Sequence, residues 1–110
     1  MKRPDDLSNV EVAILGVLQK HVRGLHGVAI SDGVDSKSEG YFRLPFGTLY
    51  PALKRLEGKG FISGTWESLD KAAQEGRPRR CIYKITGAGA AALAEAARLH
   101  AIRARFLPAT

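Results

Sequence analysis

Apolar residues in the first part of the chain fall at helical spacing. Val10, Ala13, Ile14, Val17 and Leu18 recur every three to four positions, which gives one apolar stripe on an otherwise polar helix. Ser8 precedes the stripe and Glu11 lies three residues on, the pairing in which a hydroxyl and a carboxylate each accept from a free amide at a helix start. Leu7 and Val12 supply an apolar staple across that start. The pattern predicts a first helix over 9–21, stopped by Gly24. From Gly27 to Lys37 the apolar face is looser, made of Val28, Ile30 and Val34, and Gly33 costs about 1 kcal/mol relative to Ala inside a helix. A short second helix is predicted there. Ser36 to Gly40 reads as a turn and Tyr41 to Leu44 as extended.

The stretch GTLYPALKRLEGKG at 47–60 sets two signals against each other. Leu49, Leu53 and Leu56 form a buried helical stripe, yet Pro51 sits among them, and an interior proline costs roughly 3 kcal/mol. One resolution has Thr48 capping the helix, with Pro51 in the first turn. The other, favoured because Pro45 has the preset dihedral of a first helical residue, starts the helix near Pro45 and bends it at Pro51. Opposite the leucines lie Gly47, Pro51, Lys54 and Gly58, flanked by Tyr50 and Arg55. That face is small and flat, with cations and a phenol around it, as a closely approached surface would be.

Phe61 to Trp66 and Arg80 to Ile85 read as two strands. Between them Glu67 to Arg79 is polar and predicts a long hairpin loop with a basic end. Trp66 and Tyr83 are expected to pack as a cross-strand pair. Thr86 then caps an alanine-rich helix running from Gly87 to about Phe106, closed by Pro108. The fold class is mainly α with a small β component (α+β), in the layout of a winged helix-turn-helix. In that layout the third helix enters the DNA major groove and the hairpin tip follows the backbone. A winged helix that docks proteins has the same layout.

Charge separates the two. The 110 residues carry 17 Lys and Arg against 11 Asp and Glu, a net charge of +6 that favours a polyanionic partner such as double-stranded DNA over a neutral one. Lys54 and Arg55 could be solvated helix charges, but they stand opposite a leucine stripe beside Gly47. Tyr50 could close the core edge while its hydroxyl reaches a phosphate. Arg77, Arg79 and Arg80 concentrate charge at the returning end of the hairpin, where a wing would meet phosphates. His21, His26, His100 and Cys81 never fall at close metal-ligand spacing, and Asp32, Asp35 and Glu39 read as a solvated turn rather than a calcium loop. No metal or cofactor is expected. Nothing combines a nucleophile, a base and an orienting group, so the chain is not expected to be an enzyme. A single Cys81 excludes an intramolecular disulfide, and no leader or apolar run of about 18 residues is seen, which points to a cytoplasmic protein without membrane association.

ILGVL at 14–18, LHG at 25–27, GTLYPALKRLEGKG at 47–60 and GRPRRCIYKIT at 76–86 together resemble the PadR family of bacterial transcriptional regulators, in order and spacing, over about residues 7–90. The resemblance implies a homodimer, usually a repressor, with winged-helix DNA-binding heads over 1–85 and a dimerisation helix over 86–110. It places Thr48, Tyr50 and Lys54 on the recognition helix and Arg77, Arg79 and Arg80 on the wing. Some members respond to phenolic acids, antibiotics or other planar aromatic compounds, so a small aromatic effector is among the implied partners. The chain departs from the family's pattern in SDGVDSKSEG at 31–40 and in Pro45, where a small polar residue is usual.

The last helix has two apolar lines. Leu93, Ala97, Ala104 and Leu107 lie on one, while Leu99, Ile102 and Phe106 gather nearly opposite. A helix packed only on its own domain needs one such face, so a dimer interface through Leu93, Leu99, Ile102 and Phe106 is expected. A two-fold dimer would read a palindrome.

Overall fold

The computed structural model describes residues 7–108. In chain order these form α1 (Asn9–Gln19), α2 (Gly27–Lys37), α3 (Phe46–Gly58), β1 (Ile62–Trp66), α4 (Leu69–Gln74), β2 (Cys81–Ile85) and α5 (Gly87–Ala104). Helices α1 to α3 surround a core in which Ile14, Leu15, Leu18, Ile30, Leu49, Leu53 and Leu56 are fully buried. Ile62 and Tyr83 close that core from the hairpin.

Each helix start follows its local chemistry. The Ser8 hydroxyl accepts from the Glu11 amide while the Ser8 amide donates back to Glu11 Oε1 at 2.8 Å, so both halves of the capping box form. α1 stops at Gln19 rather than His21, because the amides of Lys20 and His21 bond three residues back in a tightened last turn. α2 spans the segment predicted. Its Gly33 faces Val17, whose Cγ1 would lie 2.7 Å from any β-carbon placed there, so the weak helix former is what lets α1 and α2 approach. Asp32 and Asp35 therefore sit on a helix, not in a turn, and Asp35 pairs with Arg43 at 3.5 Å. Tyr41 to Leu44 has no strand partner; the Ser38 hydroxyl accepts from the Phe42 amide at 2.9 Å and holds the connection.

Pro45 is the residue before α3, not its first helical position: its ψ of 152° is extended, and its carbonyl accepts from the amides of Thr48 and Leu49. The helix runs on through Pro51 to Gly58, as the earlier of the two starts requires, and Pro51 is exposed.

β1 and β2 pair antiparallel with Ile62 opposite Ile85 and Trp66 opposite Cys81. Leu25 adds a short third edge: its amide and carbonyl bond the carbonyl and amide of Tyr83 at 3.0 and 2.8 Å. The connection from α1 to α2 is thereby fixed to the hairpin. Residues 67–79 are not a plain loop, since α4 forms within them. The Ser68 hydroxyl accepts from the Lys71 amide at 3.1 Å, Ala72 is buried, and Gly76 ends the turn with a φ of 65°.

α5 begins where the Thr86 hydroxyl accepts from the Gly89 amide and donates to the Gly60 carbonyl at 2.7 Å. It ends at Ala104, two residues before the predicted limit, and the amides of Arg105, Phe106 and Leu107 bond three residues back. Among the described residues no helix is long and apolar enough to cross a membrane.

Candidate nucleic-acid interface

Helix α3 presents two opposed faces. Leu49, Ala52, Leu53 and Leu56 are buried, and Gly47, Thr48, Tyr50, Pro51, Lys54, Arg55 and Gly58 are exposed. Nothing lies within 4 Å of where a β-carbon on Gly47 or Gly58 would be, so the exposed face is open as well as flat. Lys54 makes no ion pair among the described residues.

Tyr50 is held from behind. Its phenol lies over Gly27, the first residue of α2, so closely that a β-carbon at Gly27 would collide with the hydroxyl and would come within 2.8 Å of Cζ. The ring of Phe46 meets Tyr50 edge-on, with centroids 5.9 Å apart. The position of Tyr50 thus depends on a bare backbone at the head of α2. Gly27→Ala should leave the helical circular dichroism intact while displacing the phenol, and binding to duplex DNA should weaken several-fold in a titration at fixed salt.

Arg55 is partly engaged. Glu11, buried at the start of α1, accepts from Lys59 Nζ at 2.9 Å and lies 3.9 Å from Arg55 Nε. Burial alone would raise the Glu11 pKa, but the Ser8 and Lys59 hydrogen bonds outweigh it and leave the carboxyl below its ordinary range. The capping-box carboxylate of Glu11 therefore also ties down the end of α3.

The wing arginines do not share one fate. Arg77 is clasped: its guanidinium donates to both oxygens of Glu67 at 2.6 and 3.0 Å and to Glu75 at 3.1 Å, and its side chain is only 16% exposed. Glu67 also accepts from the Arg80 amide at 3.1 Å. The Arg77 bonds, with the Arg80 amide, push the Glu67 pKa down to about 2 against the cost of burial. Arg77, expected as an open phosphate contact, is instead the brace of the wing, because a nearly buried carboxylate at the root of the hairpin takes its fork. Arg79 stays exposed and lies over the Trp66 ring, 5.3 Å from its centroid. Arg80 is half-buried, with a guanidinium that makes no ion pair among the described residues.

Trp66 and Tyr83 are not a cross-strand pair: Tyr83 lies opposite Gly64 and enters the core, where burial and the Cys81 thiol raise its pKa, whereas Trp66 is 60% exposed. His26, just before α2, has its pKa lowered by burial and by the charges of Arg80 and Arg77. The head of α2, the phenol of Tyr50 and the root of the wing therefore meet in one region beside α3. Glu67 was not singled out by sequence pattern, and Gly27 entered only within LHG at 25–27 and as the start of the second helix, with no role of its own. Only the spacing of the clasp across the hairpin could have marked Glu67, and nothing local marks the approach of Tyr50 to Gly27.

On α5, Leu93 packs against the core and Leu99 is half-buried in a groove between α1 and α5 of about 1020 Å³, which Leu7, Val12 and Phe61 also help to line, whereas Ile102 is half-buried outside that lining. Phe106 lies beyond the end of the helix and is 84% exposed. Among the described residues no group of His, Cys, Asp or Glu is placed to hold a metal ion.

Three helices, an exposed third helix and a two-stranded hairpin at its side make this a winged helix-turn-helix protein. The model of the "Transcriptional regulator PadR-like family" matches residues 14–95, and the chain belongs to that family, whose members are transcription regulators rather than enzymes. Similar solved structures include a PadR family transcription regulator from Clostridium difficile, at 25% identity and a TM-score of 0.68 over 92% of this chain and 100% of that one. A PadR-like transcription factor from Bacteroides fragilis is similar at 30% identity, with a TM-score of 0.62 over 87% of this chain and 81% of its own. Bacillus subtilis PadR in complex with operator DNA shares the fold at 24% identity, with a TM-score of 0.66 over 94% of this chain and 52% of that one. No curated protein sequence matches significantly.

Proposed function

We propose that the protein is a cytoplasmic, sequence-specific DNA-binding regulator, a homodimeric repressor that reads a palindromic operator. The observation that carries this reading is the exposed face of α3, with Gly47, Pro51 and Lys54 open to solvent beside a wing that offers Arg79 and Arg80. Thr48, Tyr50, Lys54 and Arg55 would face the major groove, and Arg79 and Arg80 the phosphates; Arg77 serves them by bracing the wing. Binding of a PadR homologue to operator DNA supports the same assignment.

The dimer reading rests on α5 (Gly87–Ala104), which follows the winged-helix head and lies within the proposed dimerisation segment 86–110. Leu99 lines an open groove that its own α1 does not close, Ile102 lies three residues further along α5, and a partner's α5 would cover both. One benzene ring, Phe61, lines that groove, so the groove is assigned to the partner helix rather than to an aromatic effector. Recognition helices about 34 Å apart would then read half-sites centred about 10 base pairs apart, or a multiple of that.

Duplex fragments recovered from a random pool should share a two-fold symmetric consensus, and their affinity should fall steeply with salt. A winged helix that docks proteins would yield no consensus. Sedimentation at low micromolar concentration should give twice the 11.9 kDa chain mass. Changing Leu99 and Ile102 to charged residues should return the monomer, and a parent already at the chain mass would refute the dimer.

A further inference from the structure

We infer that Phe46 is a specificity-determining residue that selects thymine, its ring packing against the 5-methyl group in the major groove. The inference rests on the DNA-binding reading above and adds to it a base and an atom. Phe46 is the first residue of α3, and the first residues of a recognition helix are those that meet base edges. Its ring is not a core residue: it is 53% exposed, and its ring contact is the edge of Tyr50. Gly47 beside it is open and Pro45 before it is exposed, so neither neighbour covers it.

A phenyl ring has no donor or acceptor, so it cannot bond purine edges or the cytosine amine. The apolar group that the major groove offers is the thymine methyl. Phe46, Tyr50 and Lys54 follow one another at four-residue spacing along one ridge of α3. Along that ridge the lysine offers donors to guanine edges or phosphates, and the ring reads the methyl group. The edge of Tyr50, itself fixed over Gly27, limits where the Phe46 ring can turn.

The test uses duplexes selected from a random pool by the full chain, with each thymine of a half-site replaced in turn by deoxyuridine, which lacks only the methyl. At one position the replacement should weaken binding of the parent about fourfold, the value of one apolar carbon removed from water. Phe46→Ala should bind the thymine and uracil forms of that position alike, with unchanged circular dichroism. Parent protein indifferent to every uracil would overturn the inference while leaving DNA binding intact, as would a Phe46→Ala variant that still loses fourfold at that position. A pool with no enriched sequence would remove the DNA reading itself, and this inference with it. The parent arm needs no variant to fold.

Discussion

Leu53→Ala should lower the stability of the fold by about 2–5 kcal/mol, the usual cost of removing a fully buried leucine and leaving a cavity. Leu53 is 1% exposed and sits in the middle of the buried stripe of α3, between Leu49 and Leu56. A domain of this size is stable by only about 5–15 kcal/mol, so the loss is a large part of the total. A urea titration should show the midpoint fall with little change in slope. DNA binding should fail as a consequence, although Leu53 would touch no nucleotide. Lys54→Ala, one residue on, should leave the midpoint where it is, since Lys54 is exposed, and should alter discrimination among sequences. Coincident urea curves for Leu53→Ala and the parent would show that the stripe does not carry the core.

Arg79 and Arg80 changed together to Ala should weaken binding to every duplex and flatten its salt dependence. Each phosphate contact contributes about 0.9 to the slope of log affinity against log salt, so the pair should remove nearly two. Arg77→Gln should behave otherwise. Its guanidinium is held by Glu67 and Glu75, so the slope should hardly change while the wing loosens. Trp66, the only tryptophan of the chain, lies beside the clasp and should report that loosening in its emission without any DNA present. A loss of slope for Arg77→Gln equal to that for Arg79→Ala would return Arg77 to the phosphates.

The same clasp sets a pH dependence. Glu67 has its pKa lowered from 4.5 to about 2, chiefly by the Arg77 bonds, so between those values the unfolded chain binds more protons than the folded one. Its stabilising contribution is complete above about pH 4.5 and fades as the pH falls toward 2. Trp66 emission followed down an acid titration should change in that window in the parent, and not in Glu67→Gln.

Sequence by itself determined the elements whose signals are local. The capping box at Ser8 and Glu11, the leucine stripe of α3 and the hydroxyl cap at Thr86 each act within one or two turns. The segments they predict are present, with ends shifted by about two residues where last turns tighten. The basic bias and the exposed face of α3 were legible for the same reason, because a helical wheel needs only the chain. Helix α4 was legible in principle from Ser68 and Gly76 but is only six residues long, too short for periodicity to reveal.

Tertiary structure decided which charges are free. Glu67 and Arg77 are ten residues apart and meet only because β1 and β2 pair, and Glu11 reaches Lys59 across 48 positions only because α1 crosses the end of α3. Gly27 matters because Tyr50 arrives from another helix. Ion pairs and close approaches of this kind depend on distances that folding sets, so composition counts Arg77 and Arg79 alike, whereas the folded hairpin turns one inward as a brace and leaves the other exposed.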